Sequence, residues 1–260
     1  MGPLLELDNV TMRFGGLTAL NQLTMEVREG LTTGLIGPNG AGKTTVFNVV
    51  TGLYRPTSGD IRYAGQSIVG LPPHQIAKNG IARTFQNIRL FKNLTVYENV
   101  RAAGHLSTAY SMPTAFFHQP PFEQQEGLLN EDIHRLLGML GLLSRKDELA
   151  SSLPYGLQRR VEIARALMLR PRLLLLDEPA AGMNPQESRD LIGFIKDVKS
   201  MFGLTVFIIE HHMDVVMPLS DVVYVLNFGK LLSKGTPEEV QNDPRVIEAY
   251  LGEEETDVAS

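Results

Sequence analysis

The 260-residue chain contains no cysteine. Disulfides, thiolate metal sites and cysteine nucleophiles are therefore excluded, and the absence fits a reducing compartment without requiring one. Positive charge is not in excess either: 24 Lys and Arg against 29 Asp and Glu leave a formal net charge of −5. Such a balance offers little with which to neutralise a phosphate backbone, so no nucleic-acid partner is expected. Long apolar runs are also missing. The densest, Leu173 to Leu176, falls far short of the ~18 consecutive apolar residues that a spanning helix needs. Met1-Gly2-Pro3-Leu4-Leu5-Glu6 lacks a basic stretch leading into an apolar core, so no secretion signal is expected. There is no internal repeat and no low-complexity tract. What remains is an ordinary globular composition on a chain long enough to bury a large core. Any membrane role must come through a partner.

Hydrophobic patterning divides the chain into three stretches. Leu4 to Phe14 and Leu20 to Val27 alternate and read as strands, followed by a buried strand at Leu31 to Ile36. A helix is expected from Gly42 to about Thr51, then strands at Ile61 to Tyr63 and Ile81 to Phe85. From about Thr95 the texture changes. Leu106 to Phe122 has no clean period and reads as an irregular insertion. Helical spacing returns at Ile133, Leu136, Leu137 and Leu140, and again from Gly156 to Leu169. Strands are then expected at Arg172 to Asp177, Leu204 to Ile209 and Val222 to Leu226. Between them a helix starting at Asn184-Pro185 carries the face Leu191, Ile195, Val198 and Phe202. Asn227 to Lys230 is a hairpin turn, and Pro244 to Leu251 a closing helix. Strands alternating with helices predict an α/β fold with parallel pairing.

Gly37-Pro38-Asn39-Gly40-Ala41-Gly42-Lys43-Thr44-Thr45 fits the phosphate-binding pattern G-x-x-x-x-G-K-[ST]. Small residues let main-chain N–H groups curl around a β-phosphate, and the helix that follows presents its positive end to it. Lys43 would reach the β- and γ-oxygens, and the Thr44 hydroxyl would ligate Mg²⁺. A plain Gly-rich turn is the bland alternative; the strand before and the helix after argue against it. Leu173-Leu174-Leu175-Leu176-Asp177-Glu178 places two carboxylates at the carboxyl edge of a sheet, where such folds bind ligands. Asp177 would hold Mg²⁺, directly or through water, and Glu178 would polarise or deprotonate an attacking water. An apolar run ending in two acids means little alone. Joined to the phosphate loop, it points to chemistry on a nucleoside triphosphate, which an ATPase, a P-loop kinase or a GTPase would share.

These motifs, in this order around a middle helical segment, resemble the ATP-binding-cassette nucleotide-binding domains over essentially the whole length. The resemblance implies a P-loop NTPase (RecA-like) core with an N-terminal antiparallel β subdomain and an inserted α-helical subdomain. It implies one cassette, with residues 1–94 and 170–260 as core and about 95–169 as helical subdomain. Phe14 stands at that family's adenine-stacking aromatic, Gln86 at its glutamine loop contacting Mg²⁺ or water, and His211 at its switch histidine. His212 is a bystander by the same comparison. Leu153-Pro154-Tyr155-Gly156-Leu157-Gln158 stands where the family carries Leu-Ser-Gly-Gly-Gln. Gly156 and the helix start survive, and Arg159, Glu162 and Arg165 continue the family pattern. Pro154 replaces a serine that reaches the partner's γ-phosphate, and Tyr155 replaces a glycine.

Finer stretches resemble the branched-chain amino-acid importers, as their insertion-bearing ATPase. They are Ile81-Ala82-Arg83-Thr84-Phe85-Gln86-Asn87-Ile88-Arg89-Leu90-Phe91, Leu94-Thr95-Val96-Tyr97-Glu98-Asn99-Val100, Asp177-Glu178-Pro179-Ala180-Ala181-Gly182-Met183-Asn184-Pro185 and Glu248-Ala249-Tyr250-Leu251-Gly252. The insertion around Ser107 to Glu126 and a signature with Tyr-Gly occur there too. That subgroup implies a second ATPase subunit, integral membrane permeases touched by the region from Gln86 to about Val100, and an extracytoplasmic solute-binding protein. The chain would sit peripherally on the cytoplasmic face of the inner membrane. A urea or amide importer has the same architecture. A soluble cassette ATPase acting on nucleic acid or ribosomes is the alternative of another class; those usually carry coiled-coil arms or a second cassette, and neither is read in this sequence.

Overall fold

The computed structural model describes residues 2–104 and 120–257, so most of the expected insertion loop lies outside the described residues. The chain divides into two compact units, one of residues up to Arg83 with those from Arg172 onward, the other of Thr84–Pro171.

The first unit contains two sheets. β1 (Pro3–Phe14), β2 (Leu17–Arg28), β4 (Ser58–Tyr63) and β5 (Gln66–Ser67) form an antiparallel sheet in the order β2-β1-β4-β5. The second contains β3 (Thr32–Ile36), β6 (Ile81–Arg83), β7 (Leu173–Asp177), β8 (Thr205–Ile209), β9 (Val222–Asn227) and β10 (Lys230–Gly235). Its order is β10-β9-β3-β8-β7-β6, parallel except for the β9–β10 hairpin. β3, β7 and β8 are buried at every residue, as strands covered on both faces must be. Alternate residues divide between the faces. Leu35, Leu175, Phe207, Ile209, Tyr224 and Leu226 join one core cluster with β1, β2, β4 and helix α1 (Lys43–Val50). Phe47 and Phe207 meet edge to face at 5.0 Å, and the Glu26 N–H donates to the Tyr224 hydroxyl.

On the opposite face lies α7 (Met213–Leu219), close enough to β3 that a Cβ at Gly34 would lie 2.8 Å from Val216 Cγ2. Helix α6 (Pro185–Phe202) starts with a capping box between Asn184 and Glu187 and stops at Gly203 in the left-handed region. It buries Leu191, Ile195 and Val198 as expected. Phe194 takes the fourth core place, while Phe202 at the last turn is only half-buried. α2 (Pro73–Lys78), α8 (Pro237–Gln241) and α9 (Pro244–Asp257) complete this unit.

The second unit is helical: α3 (Val96–Gly104), α4 (Pro120–Met139) and α5 (Tyr155–Leu167), with short 3₁₀ turns at Leu143–Arg145 and Ala150–Ser152. α4 begins inside the stretch expected to be irregular; prolines at a helix start need no partner for the N–H they lack. Ile133, Leu136, Leu137 and Leu140 are buried as their spacing requires. Asn99, fully buried, donates to the carbonyls of Phe91, Leu94 and Thr95 and accepts from the Phe91 N–H. The strand expected to reach Phe85 ends at Arg83. Phe85 has its carbonyl and its N–H engaged by the α5 side chains Arg159 and Glu162 instead.

Removing the aromatic contact at the centre of the first unit tests this core. Phe207→Ala should lower the unfolding free energy by about 3–5 kcal/mol, measured by chemical denaturation.

Candidate functional site

β3 runs straight into the phosphate loop. Gly37 has φ 146° and lies so close to the β9 edge that a Cβ would sit 2.1 Å from the Leu226 carbonyl oxygen. Gly42, at φ 105°, caps α1 and has no more room: its Cβ would lie 2.6 Å from the Ala19 carbonyl. Both glycines of the motif are therefore demanded by the backbone and by neighbouring chain. The loop is braced from outside as well, since the Gly229 N–H donates to Ala41 O and the Asn21 N–H to Gly229 O. Lys43 is buried and its ammonium donates to the carbonyls of Gly37 (2.5 Å) and Pro38 (2.8 Å). Asn39, Gly40 and Thr44 are exposed. Helix α1 then offers first-turn N–H groups that have no acceptor within the helix.

At the end of β7 the Asp177 carboxylate is buried and ion-paired with Arg83, Nη2 to Oδ2 at 2.6 Å. The same guanidinium donates to Asn48 Oδ1 (2.8 Å) and Thr51 Oγ1 (3.3 Å) on and just after α1 and lies over the Phe47 ring. Arg83 thus ties β6, β7 and α1 together around the acid. Sequence reading named Asp177 and missed Arg83. Its only signal was a cation following two apolar residues in a short strand.

Glu178, the next residue, has φ 43°. A glutamate in the left-handed region is strained and persists only where its surroundings hold it there. Here its N–H donates to the Ile209 carbonyl (2.9 Å) at the end of β8. Glu178 Oε2 lies 3.6 Å from His211 Nδ1, so the two residues are brought together. The His212 ring lies against that of His211, tilted by 51° with centroids 4.0 Å apart. Just before them in the chain is Glu210, which the sequence reading passed over. It is fully buried; one oxygen accepts from Ala180 N–H (2.9 Å) and the other from His211 N–H (3.3 Å). Burial pushes its carboxyl up from the ordinary range, against the Ala180 hydrogen bond and the nearby His212 and His211.

Phe14 ends β1, is 40% exposed, and meets the equally exposed Tyr54 edge to face at 5.1 Å. Thr44 and Asp177 are the hard oxygen donors that Mg²⁺ takes, so the residues present fit that ion. In the second unit, Gln86 is exposed and its carbonyl accepts from Arg159. Pro154 is the N-cap of α5 rather than a residue of its first turn, with φ −53° and ψ 150°. Tyr155 and Gly156 open the helix.

Residues 20–181 match the family described as ABC transporter. Residues 230–256 match one described as branched-chain amino acid ATP-binding cassette transporter. The chain is 48% identical over 251 residues to the high-affinity branched-chain amino acid transport ATP-binding protein BraF of Pseudomonas aeruginosa, covering 96% of this chain and 98% of that one. Identity to LivG of Escherichia coli K12, of the same description, is 45% over the same shares. Among solved structures, an ATP-binding cassette of an ABC transporter in its ADP conformation aligns with a TM-score of 0.84 at 32% identity, covering 97% of this chain and all of that one. The expected α/β P-loop architecture is the one shared with that cassette.

Two outcomes follow from the buried charges. Arg83→Met strands the Asp177 carboxylate and should cost about 3–5 kcal/mol, while Arg83→Met with Asp177→Asn should cost less than the sum of the two single changes. Chemical denaturation of the four proteins gives the coupling. For Glu210 the folded state holds the proton more tightly than the unfolded chain. Its contribution to stability is therefore present at low pH and lost as pH rises through the raised value. Glu210→Gln should flatten that part of the stability–pH curve, again read by denaturation across a pH series.

Proposed function

This chain belongs to the ABC transporter family, and from that premise we propose that it is the ATP-hydrolysing subunit of an importer of branched-chain amino acids. The carrying observation is the identity of 45–48%, spread over nearly the full chain, to proteins named for that transport. The match of residues 230–256 supports the same cargo class. Among the described residues no helix is long and apolar enough to cross a membrane. The proposal assigns that crossing to separate permease subunits, with this chain on their cytoplasmic face, paired with a second ATPase and served by a solute-binding protein outside.

In this reading the loop from Gly37 to Thr45 holds the ATP phosphates through main-chain N–H groups, and Lys43 turns from the carbonyls of Gly37 and Pro38 to phosphate oxygens. Phe14 takes the adenine face. Thr44 and Asp177 would hold Mg²⁺, which would neutralise phosphate charge when bound. Arg83 engages Asp177 through Oδ2 and so fixes how that carboxylate is presented. Glu178 accepts a proton from the attacking water as the new bond to the γ-phosphorus forms and ADP leaves. His211, beside Glu178, supplies a hydrogen bond to the γ-phosphate and helps hold the acid in place. Gln86 is assigned to the Mg²⁺ or the water by resemblance. Pro154, Tyr155 and Gly156 face the nucleotide of the second ATPase subunit.

The test is a pair of variants and an uptake assay. Glu178→Gln should retain ATP binding and lose about 10²–10⁴-fold in turnover, while Lys43→Ala should lose binding itself. Rapid hydrolysis by the first, or unchanged binding by the second, contradicts the assignments. The complex assembled with its permeases in vesicles should accumulate leucine, isoleucine or valine at the expense of ATP. Accumulation of urea instead would move the cargo class.

A further inference from the structure

Three side chains on one face of α5 grip the main chain that follows β6. Arg159, with no exposed surface, donates through Nη1 to the Phe85 carbonyl (2.7 Å) and through Nη2 to the Gln86 carbonyl (2.8 Å). Its Nη1 also meets Glu162 Oε2 at 2.6 Å. The other Glu162 oxygen accepts from the N–H groups of Phe85 (3.4 Å) and Arg89 (3.3 Å). Arg165 donates to the Arg89 carbonyl and lies over the Phe91 ring at 5.1 Å. Burial lowers the Arg165 pKa from its ordinary value. At the start of the helix the Tyr155 hydroxyl reaches Arg159 Nη2 at 3.4 Å. Spacings of three and four residues put all of these on one stripe.

The arrangement is more than a way to bury a cation. A buried ion pair adds little net stability over an apolar pair of the same volume. What an apolar pair cannot do is satisfy the carbonyls and N–H groups of a segment that has left the sheet. Arginine suits this task because its planar fork reaches two successive carbonyls and a carboxylate at once, which a lysine ammonium does not reproduce.

We infer that Arg159 and Glu162 are positioning residues that make the glutamine segment, 85–89, and the signature end of α5, 154–156, one mechanical element. Tyr155 reports from the partner-facing end and Phe91 from the other. Tyr155, the departure from the Leu-Ser-Gly-Gly-Gln pattern, is then the residue that joins the signature to the clamp. This inference rests on the transporter reading only for what the element drives; the linkage itself belongs to the isolated chain.

Amide hydrogen exchange of the full chain, with and without a non-hydrolysable ATP analogue and Mg²⁺, tests it directly. In the wild type the amides of residues 85–91 and 155–159 should change protection together when the analogue binds. In Arg159→Lys the two segments should part, residues 85–89 exchanging about tenfold faster, with affinity for the analogue within about twofold. Should Arg159→Lys not fold, Glu162→Gln decides by the same measure. Segments that respond separately in the wild type, or together in a folded variant, overturn the inference. In the complete transporter the same variants should lower solute moved per ATP hydrolysed by about tenfold; an unchanged ratio in a folded variant also overturns it. A wild-type complex that hydrolyses ATP and moves no branched-chain amino acid sinks the transport reading and leaves the exchange result to judge the clamp.

Discussion

The contact between Arg83 and Asp177 is the constraint on which the nucleotide side of this molecule is built. Two opposite charges with almost no exposure are tolerable only together. Because Arg83 also reaches Asn48 and Thr51, satisfying it fixes the end of β7 against α1, the helix that carries Lys43 and Thr44. The carboxylate keeps one oxygen committed to the guanidinium. Arg83 is therefore a reason that the acid, the lysine and the threonine hold their places before any ligand arrives.

Beyond Asp177 the chain must turn sharply, and Glu178 bears that turn with a left-handed backbone. The strain is held by two neighbours rather than by the turn itself. Ile209 takes the Glu178 N–H, and Glu210 takes the Ala180 N–H with one oxygen and the His211 N–H with the other. A single buried carboxylate thus joins the loop bearing the acid to the loop bearing the histidine. That accounts for Glu178 and His211 lying within reach of each other although the strands that deliver them are 32 residues apart in sequence. Preorganisation of this kind is what electrostatic catalysis requires.

Much of this was legible in the sequence where spacing is dictated by local geometry. The phosphate loop could be read because Gly37 and Gly42 admit no side chain, and β3, β7 and β8 because strands covered on both faces must be continuously apolar. α6 was visible from its period and its Asn-Pro start, yet Phe194 rather than Phe202 fills the core, Phe202 staying half-buried in the last turn. Arg83 and Glu210 could not be read, and Arg159 was visible only as a continuation of the family pattern, without its partners. The partners that matter are fixed only by folding: for Arg83 the acid is 94 residues away, and for Arg159 the carbonyls of Phe85 and Gln86 lie far back along the chain. The end of β6 was misjudged for the same reason: the groups that take over the main chain of Phe85 belong to α5, about 75 residues on.

The variant signature can be understood from the same accounting. A serine at position 154 would cap α5 with its hydroxyl. Proline has no such group, and only its carbonyl takes part, accepting from the N–H groups of Leu157 and Gln158 as any N-cap carbonyl does. The first N–H groups of α5 then have no acceptor in the helix, and with them goes the positive end of its dipole. A phosphate meeting this surface would be bound by main chain where the family pattern offers a hydroxyl. Tyr155 brings a hydroxyl back, but directs it inward to Arg159. Proline and tyrosine together therefore remove the hydroxyl that the family pattern offers at position 154 and add a contact to Arg159, the residue that holds the Phe85 and Gln86 carbonyls. The signature loses a ligand and gains a linkage.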